Sequence, residues 1–197
     1  AIGAVFAFLA PEGKPPPPPR ATAGGGYVGS ASCRACHDDR HASWERTFHR
    51  TMTQTPDAAV GLFDGRRVPY AGGAARPIRD GDRIFVLLEP DVGRSRRAEV
   101  ALLSGSHRYQ QLFERVERAE GSAYVRLPIV WSIVDDRWLP ITAIFLDPDG
   151  VDPSAHATDW NSNCVFCHAT GPRPGLLGSD SDFQPGVSGY ETKGAEL

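Results

Sequence analysis

The four cysteines of the chain fall into two copies of one five-residue motif, and each copy could attach a haem. The first copy runs from Cys33 to His37 and reads CRACH; the second runs from Cys164 to His168 and reads CVFCH. A C-x-x-C-H motif is typical of c-type haem, whose vinyl groups form thioethers with the two thiols while the histidine binds the iron. The predicted thioether residues are Cys33, Cys36, Cys164 and Cys167, with His37 and His168 as the proximal iron ligands.

Three other uses of these cysteines fit the sequence less well. A four-cysteine zinc site usually draws on pairs that are closer in the chain, and zinc gives no reason for a histidine after each pair. A thioredoxin-like redox motif needs only one C-x-x-C and no histidine. Two structural disulfides would each close a very short loop and would crosslink little of the chain. Haem attachment is therefore the preferred interpretation.

Composition sets further limits on the class of protein. The chain has 197 residues, 41% of them hydrophobic and 23% charged, which is ordinary for a soluble globular protein. The net charge of −3 gives no indication of nucleic-acid binding. Met52 is the only methionine, so methionine cannot ligate both irons.

The first 26 residues predict an attachment to a membrane. Ala1–Ala10 is wholly apolar but shorter than the roughly 20 residues that span a bilayer, so we interpret it as the end of a transmembrane anchor or signal segment. Residues 11–26 are rich in proline and glycine and predict a linker with an extended polyproline stretch. Because haem c is attached outside the cytoplasm in bacteria, we expect a periplasmic or extracytoplasmic, membrane-anchored protein.

The rest of the chain divides into three segments. Residues 27–57 form a first haem-binding segment, residues 58–150 a β-rich insert, and residues 151–197 a second haem-binding segment. The expected fold class is α+β with low regular secondary structure, in which the haems supply much of the core and a small β-rich insert separates the motifs.

Local patterns predict individual elements within these segments. Clusters of β-branched and aromatic residues predict strands, and spacing of apolar residues by three or four predicts helices. The predicted strands are Arg83–Glu89, Ala98–Leu103, Ala123–Val134 and Trp138–Leu146, with a turn at residues 135–137 before the last one. The predicted helices are Arg108–Ala119 and Asp38–Met52, the latter with Trp44, Phe48 and Met52 on one face.

With these motifs in place, residues 27–197 resemble the tetrahaem cytochrome c family. That group includes electron carriers of ammonia oxidisers and multihaem cytochromes linked to tetratricopeptide repeats. The matching stretches are residues 27–37, Trp44, residues 48–52, residues 105–107 with Tyr109 and Gln110, residues 138–140 and residues 163–168. Residues 190–195 resemble the approach to a third motif, so the resemblance implies a further haem beyond this sequence.

The resemblance also implies that a second histidine binds each iron as its distal axial ligand. His49 and His107 are the first choices for these distal ligands, because both lie in matching stretches. His156, His41 and Met52 are weaker candidates. Ligation by methionine instead of histidine would raise the reduction potential.

These features favour an electron-transfer protein over an enzyme. The chain is expected to carry electrons through mostly bis-histidine haems, as a membrane-anchored subunit that meets redox partner proteins or belongs to a larger complex. The alternative is a multihaem oxidoreductase with one open iron position, acting on a small nitrogen or sulfur oxyanion. We identify no separate set of catalytic residues in the sequence.

Overall fold

An antiparallel β-sheet is the main element of the computed structural model, which describes residues 30–119, 121–145 and 158–168. The strands are β1 (Thr53–Gln54), β2 (Val68–Tyr70), β3 (Gly73–Asp80), β4 (Arg83–Pro90), β5 (Arg96–Ser104), β6 (Tyr109–Arg118), β7 (Gly121–Ser132) and β8 (Arg137–Pro140). The described α-helices are α1 (Ala31–Arg34), α2 (Asp38–Glu45) and α3 (Val165–His168). Single 3-10 turns lie at Pro56–Ala58, Ile141–Ala143 and Trp160–Ser162.

The sheet follows the order of the chain. Strands β2 to β8 pair with their sequence neighbours, and β1 pairs with β5 outside this path. Strands β2 and β8 also contact each other, so the sheet is nearly closed and barrel-like. Short connections join the strands; between β3 and β4 the turn uses Gly81 at a φ of 59°, a conformation that glycine adopts without strain.

One face of the sheet carries an aliphatic core. Alternate residues of β4, namely Ile84, Val86 and Leu88, are buried in one cluster with Val100 of β5 and Leu127 of β7. This period of two is what places every second side chain on the same face of a strand. The sheet therefore has a hydrophobic core built from its own side chains.

A second, smaller apolar cluster lies on the opposite face of β5, β6 and β7. It contains Leu102, Phe113 and Tyr124 from the sheet, together with Trp160 and Val165 from the segment that carries the second motif. Both faces of the sheet are thus covered at this place, and the second motif supplies part of the cover.

The expected fold class is wrong. The described chain is mostly an antiparallel, nearly closed sheet with few helices, not an α+β chain of low regular structure packed around haem. The physical reason is that the strands bury their own aliphatic side chains, so the core of this region needs no cofactor.

The predicted helix Arg108–Ala119 is also wrong, since this stretch is β6. Leu112 and Phe113 are both fully buried, yet they belong to the clusters on opposite faces of the sheet. A strand sends adjacent side chains to opposite faces, and pairing with β5 and β7 decides the conformation here over the helical spacing of the apolar residues.

Other element predictions are confirmed in whole or in part. The strands predicted at Arg83–Glu89 and Ala98–Leu103 lie within β4 and β5, and Ala123–Val134 largely matches β7. The strand predicted at Trp138–Leu146 ends at Pro140 and continues as a 3-10 turn. The helix predicted at Asp38–Met52 ends at Glu45.

Several predictions fall outside the described residues. These are the apolar stretch at residues 1–10, the linker at residues 11–26 and the candidate ligand His156. Within the part of the chain that the structure describes, no helix is both long and apolar enough to span a bilayer. The segment boundaries stay predictions.

Candidate functional site

The two cysteine motifs fold into the same local turn. In the first motif, the backbone N–H groups of Cys36 and His37 donate to the carbonyl of Cys33, at 3.3 and 2.9 Å. In the second, the N–H groups of Cys167 and His168 donate to the carbonyl of Cys164, at 3.1 and 3.0 Å. Residues three and four apart on a helical turn lie on one side of it, so each motif presents two thiols and an imidazole together.

The first motif runs from the end of α1 to the N-cap of α2, and neither helix has a buried residue. Cys33, Cys36 and His37 are exposed. An exposed ion pair joins the two helices, with Arg34 Nε 3.1 Å from Asp38 Oδ1. The motif is therefore held mainly by local backbone hydrogen bonds.

An aromatic side chain lies just after the first motif. The rings of Trp44 and His41 are 5.8 Å apart, and the guanidinium of Arg50 lies 5.5 Å from the centre of the Trp44 ring. Phe48 does not continue this group into a core, because it is 50% exposed. The predicted apolar face of a long helix is therefore not formed by these residues. Trp44 contacts His41, one helical turn after the motif, without packing against Phe48 in a core.

The second motif is packed against the sheet. Trp160 and Val165 are completely buried against Leu102, Phe113 and Tyr124. The ring of Trp160 meets that of Tyr124 edge to face, at a centroid distance of 6.4 Å. This packing holds residues before and inside the motif against the face of β5–β7 that lies opposite the aliphatic core.

Polar contacts add to this attachment. The buried amide oxygen Oδ1 of Asn161 accepts a hydrogen bond from the backbone N–H of Tyr124 at 2.8 Å. Arg118 makes a two-bond ion pair with Asp159, at 2.6 and 2.7 Å. Arg126 donates its backbone N–H to the carbonyl of Thr158. The sheet therefore binds the chain at several consecutive positions before Cys164.

His168 ends α3 against the paired strands β1 and β5. Its backbone carbonyl accepts a hydrogen bond from Thr53 Oγ1 at 2.7 Å, and its ring Nδ1 lies 3.2 Å from Ser104 Oγ. Burial lowers the pKa of His168, which favours the neutral imidazole. A neutral imidazole is the form that binds a metal ion.

The stretches that contain the candidate distal ligands His49 and His107 meet near this point. Phe48 stacks on the ring of His107 at a centroid distance of 4.1 Å. The hydroxyls of Thr51 and Ser106 lie 2.6 Å apart.

Gly105 brings the two stretches close along the backbone. Its N–H donates to the carbonyl of Met52 at 2.6 Å. Gly105 has a φ of 94°, and a Cβ here would lie 2.2 Å from the carbonyl oxygen of Tyr109, so only glycine fits.

The other predicted ligands differ in their surroundings. His49 and His107 are exposed, whereas His41 and Met52 are half-buried. The structure brings the stretches around His49, Met52 and His107 next to the strand pair that holds His168, and it leaves His41 beside Trp44. The pairing of any distal ligand with a particular iron stays a prediction.

The four cysteine thiols, like the histidines, differ in their exposure to solvent. All four cysteines are free, and all except the half-buried Cys164 are exposed. Burial raises the pKa of the Cys164 thiol, and the positive charge of Arg126 opposes that rise. Burial in turn lowers the pKa of Arg126.

The residues around both motifs fit a haem. The free thiols are available for thioethers, and the indole N–H of the half-buried Trp44, in the helix after the first motif, has no hydrogen-bond partner among the described residues. A propionate oxygen could accept such a bond. Among the described residues, no three histidine, cysteine or acidic side chains come together as a metal-binding group.

A cavity of about 580 Å³ is lined by residues of β2 and β4 to β7 and of the 3-10 turn after β8. Leu88, Leu127 and Ile141 form part of its apolar wall, and the buried Glu114 pairs with Arg96 there through two hydrogen bonds of 2.5 and 2.6 Å. Arg126 also lines this cavity.

Sequence reasoning missed the residues that hold the second motif in place. Thr53, Ser104 and Asn161 are buried polar residues that contact the motif or the sheet beneath it. Each acts through a partner that is distant in the sequence, so no local spacing indicates the contact. The nearest indication in the sequence is Ser104 itself, a hydroxyl residue directly before the stretch 105–107 that matches the tetrahaem family.

Comparison with known proteins does not establish a family. No family model matches the chain, and no curated protein matches it. Among solved structures, the chain is similar to the outer cell wall cytochrome OcwA, with 19% identity, a TM-score of 0.43, and coverage of 74% of this chain and 26% of that one. The chain spans about a quarter of the length of that protein. A similarity of this size carries no argument about function, and the resemblance to tetrahaem cytochromes stays a prediction.

Proposed function

We propose that the chain is part of a multihaem c-type cytochrome that carries electrons. One observation carries this proposal: two motifs that are far apart in the sequence fold into the same turn, each presenting two free thiols and a histidine. A disulfide or a thioredoxin-like site would not require the histidine in either copy. The same local geometry therefore supports the same use of both motifs.

In this proposal, Cys33 and Cys36 hold one haem, and Cys164 and Cys167 hold the other. His37 and His168 are the proximal ligands. The bound haem iron supplies one-electron reduction and oxidation. The polypeptide contributes axial ligands, burial and nearby charge, which together set the reduction potential.

The distal ligands in this proposal are His49 and His107. Two arguments support them: both lie in stretches that match the tetrahaem family, and those stretches meet beside the strands that hold His168. Two histidine ligands occupy both axial positions of an iron, which suits electron transfer better than chemistry on a substrate. We further propose an extracytoplasmic location, attachment to a membrane and a redox partner protein, all on the sequence arguments given above.

The test is to produce the chain in a bacterium that has the haem c maturation system and to measure its intact mass and visible spectra. We expect a mass increase of two haems. We also expect low-spin bands in the reduced state that do not move when carbon monoxide is added. Absence of covalent haem would overturn the proposal, and a band that shifts with carbon monoxide would reveal an open iron, in favour of an oxidoreductase.

Cysteine variants assign the haems to the motifs. The double variants Cys33→Ala/Cys36→Ala and Cys164→Ala/Cys167→Ala should each lose one haem mass and keep the other. Ala35→Ser is the matched control, since residue 35 lies inside the first motif at a position that supplies neither thiol nor ligand. Retention of both haems in either double variant would contradict the assignment.

A further inference from the structure

Two hydroxyl side chains from neighbouring positions on adjacent strands contact His168. Thr53 of β1 and Ser104 of β5 are register partners, and they are 0% and 1% exposed. Partners in an antiparallel pair lie side by side on the same face. Thr53 bonds the backbone carbonyl of His168 and Ser104 contacts the ring, so one strand pair fixes both the position of the residue and the direction of its imidazole.

The ring contact bears on which nitrogen is free to bind a metal. A neutral imidazole carries its proton on one nitrogen and a lone pair on the other. When the Nδ1–H group donates a hydrogen bond to Ser104 Oγ, the lone pair is on Nε2, the nitrogen at the far side of the ring. A partner of this kind orients a ligating histidine and increases its donor strength.

We propose that Ser104, supported by Thr53, is a positioning residue that sets the tautomer and the donor strength of His168 as ligand to the second haem. This inference depends on the proposed function. It adds an asymmetry between the haems, because His37 is the exposed N-cap residue of α2 and makes no side-chain cap hydrogen bond, whereas the ring of His168 contacts a buried hydroxyl. The second haem is therefore the one whose proximal ligand is tuned by the sheet.

The sign of the expected effect follows from the donor strength. A hydrogen bond from Nδ1–H to an acceptor makes the imidazole a stronger electron donor, which stabilises the oxidised iron. Loss of the acceptor in Ser104→Ala should therefore shift the potential of the second haem to a more positive value. We expect roughly a tenfold change in the equilibrium between oxidised and reduced iron, equivalent to about 59 mV for one electron.

The experiment uses the haem-loaded chain and compares Ser104→Ala with Ser104→Thr, which keeps the hydroxyl. Potentials are measured by spectroscopic redox titration in the background Cys33→Ala/Cys36→Ala, so that the second haem alone is observed. Ser104→Thr should restore a value close to that of the parent. An equal shift in both variants would overturn the proposal, because it would reflect packing and not the hydroxyl.

A second readout reports the hydrogen bond itself. In the reduced, low-spin state, proton NMR should show a His168 Nδ1–H that exchanges slowly with water in the parent and faster in Ser104→Ala. Thr53→Val removes the bond to the backbone carbonyl but keeps the shape of the side chain, and it should have a smaller effect on the potential. Unchanged potential and exchange in Ser104→Ala would overturn the inference, whereas absence of haem on the parent would overturn the proposed function.

Discussion

The two cysteine motifs share one local geometry, but the protein holds them in different ways. The first lies on helices without a buried side chain, and its thiols and histidine are exposed. The second is attached to the sheet by Trp160, Val165 and Asn161, and its histidine contacts two buried hydroxyls. The motif therefore specifies only the turn, and contacts with the remainder of the chain decide how rigidly that turn is held.

This difference has a consequence for haem binding. A haem at the first motif would add apolar surface where the polypeptide has none buried, so attachment should order this region. A haem at the second motif would meet a region that the sheet has already fixed. Preorganisation of ligands reduces the rearrangement on binding and on electron transfer. In the haem-free chain, the attachment of each motif depends on the polypeptide alone.

The largest expected difference concerns the two tryptophans. Trp160→Ala removes a fully buried indole from the cluster with Phe113 and Tyr124, and it should lower the free energy of unfolding by about 3–5 kcal/mol. Trp44→Ala, beside the first motif, should lower it by less than about 2 kcal/mol, because that side chain is only half-buried. Urea unfolding followed by far-UV circular dichroism measures both values. Equal losses would show that the first motif is also part of a core.

Asn161 provides a smaller test of the same attachment. Asn161→Ala removes the amide oxygen that accepts the hydrogen bond of the buried backbone N–H of Tyr124, and it should lower the free energy of unfolding by about 1–3 kcal/mol. The matched control is Asn163→Ala, two residues further along and exposed, where we expect a change within about 0.5 kcal/mol. If Asn163→Ala destabilised the chain as much as Asn161→Ala, the bond to Tyr124 would not be what holds the segment.

The two motifs should also differ in the rate at which their thiols are alkylated. Cys164 is half-buried with a pKa raised by burial, so it forms less of the reactive thiolate at neutral pH than an ordinary cysteine. It should therefore be alkylated by iodoacetamide more slowly than the exposed Cys33, Cys36 and Cys167. Mass spectrometry of peptides after timed quenching gives the four rates. The same reaction in urea is the control, since unfolding should remove the difference. Equal rates in the folded chain would contradict the attachment of the second motif.

The sequence predicts those parts of the structure that depend on neighbouring residues. The spacing of Cys33, Cys36 and His37 predicts their turn because residues three and four apart are brought together by any helical turn. The cluster of β-branched and aromatic residues at Arg83–Glu89 predicts β4, because such side chains favour the extended conformation. Local pattern fails at residues 108–119, where a helical spacing is overruled by pairing with β5 and β7. It gives no indication of the contacts of Thr53 and Ser104 with His168, because these depend on strand register and on the packing of a distant segment.

The smallest expected effect concerns the ion pair between α1 and α2. Asp38→Asn removes the contact with Arg34, and because both side chains are exposed the pair should contribute no more than about 0.5 kcal/mol. Asp39→Asn is the matched control: it removes a carboxylate from the same first turn of α2, where either aspartate interacts favourably with the helix dipole. The difference between the two variants in urea unfolding, measured at low and at high salt, isolates the contact with Arg34. A difference above about 1 kcal/mol would contradict this expectation, and it would mean that a polar contact contributes to holding the first motif in addition to its local backbone hydrogen bonds.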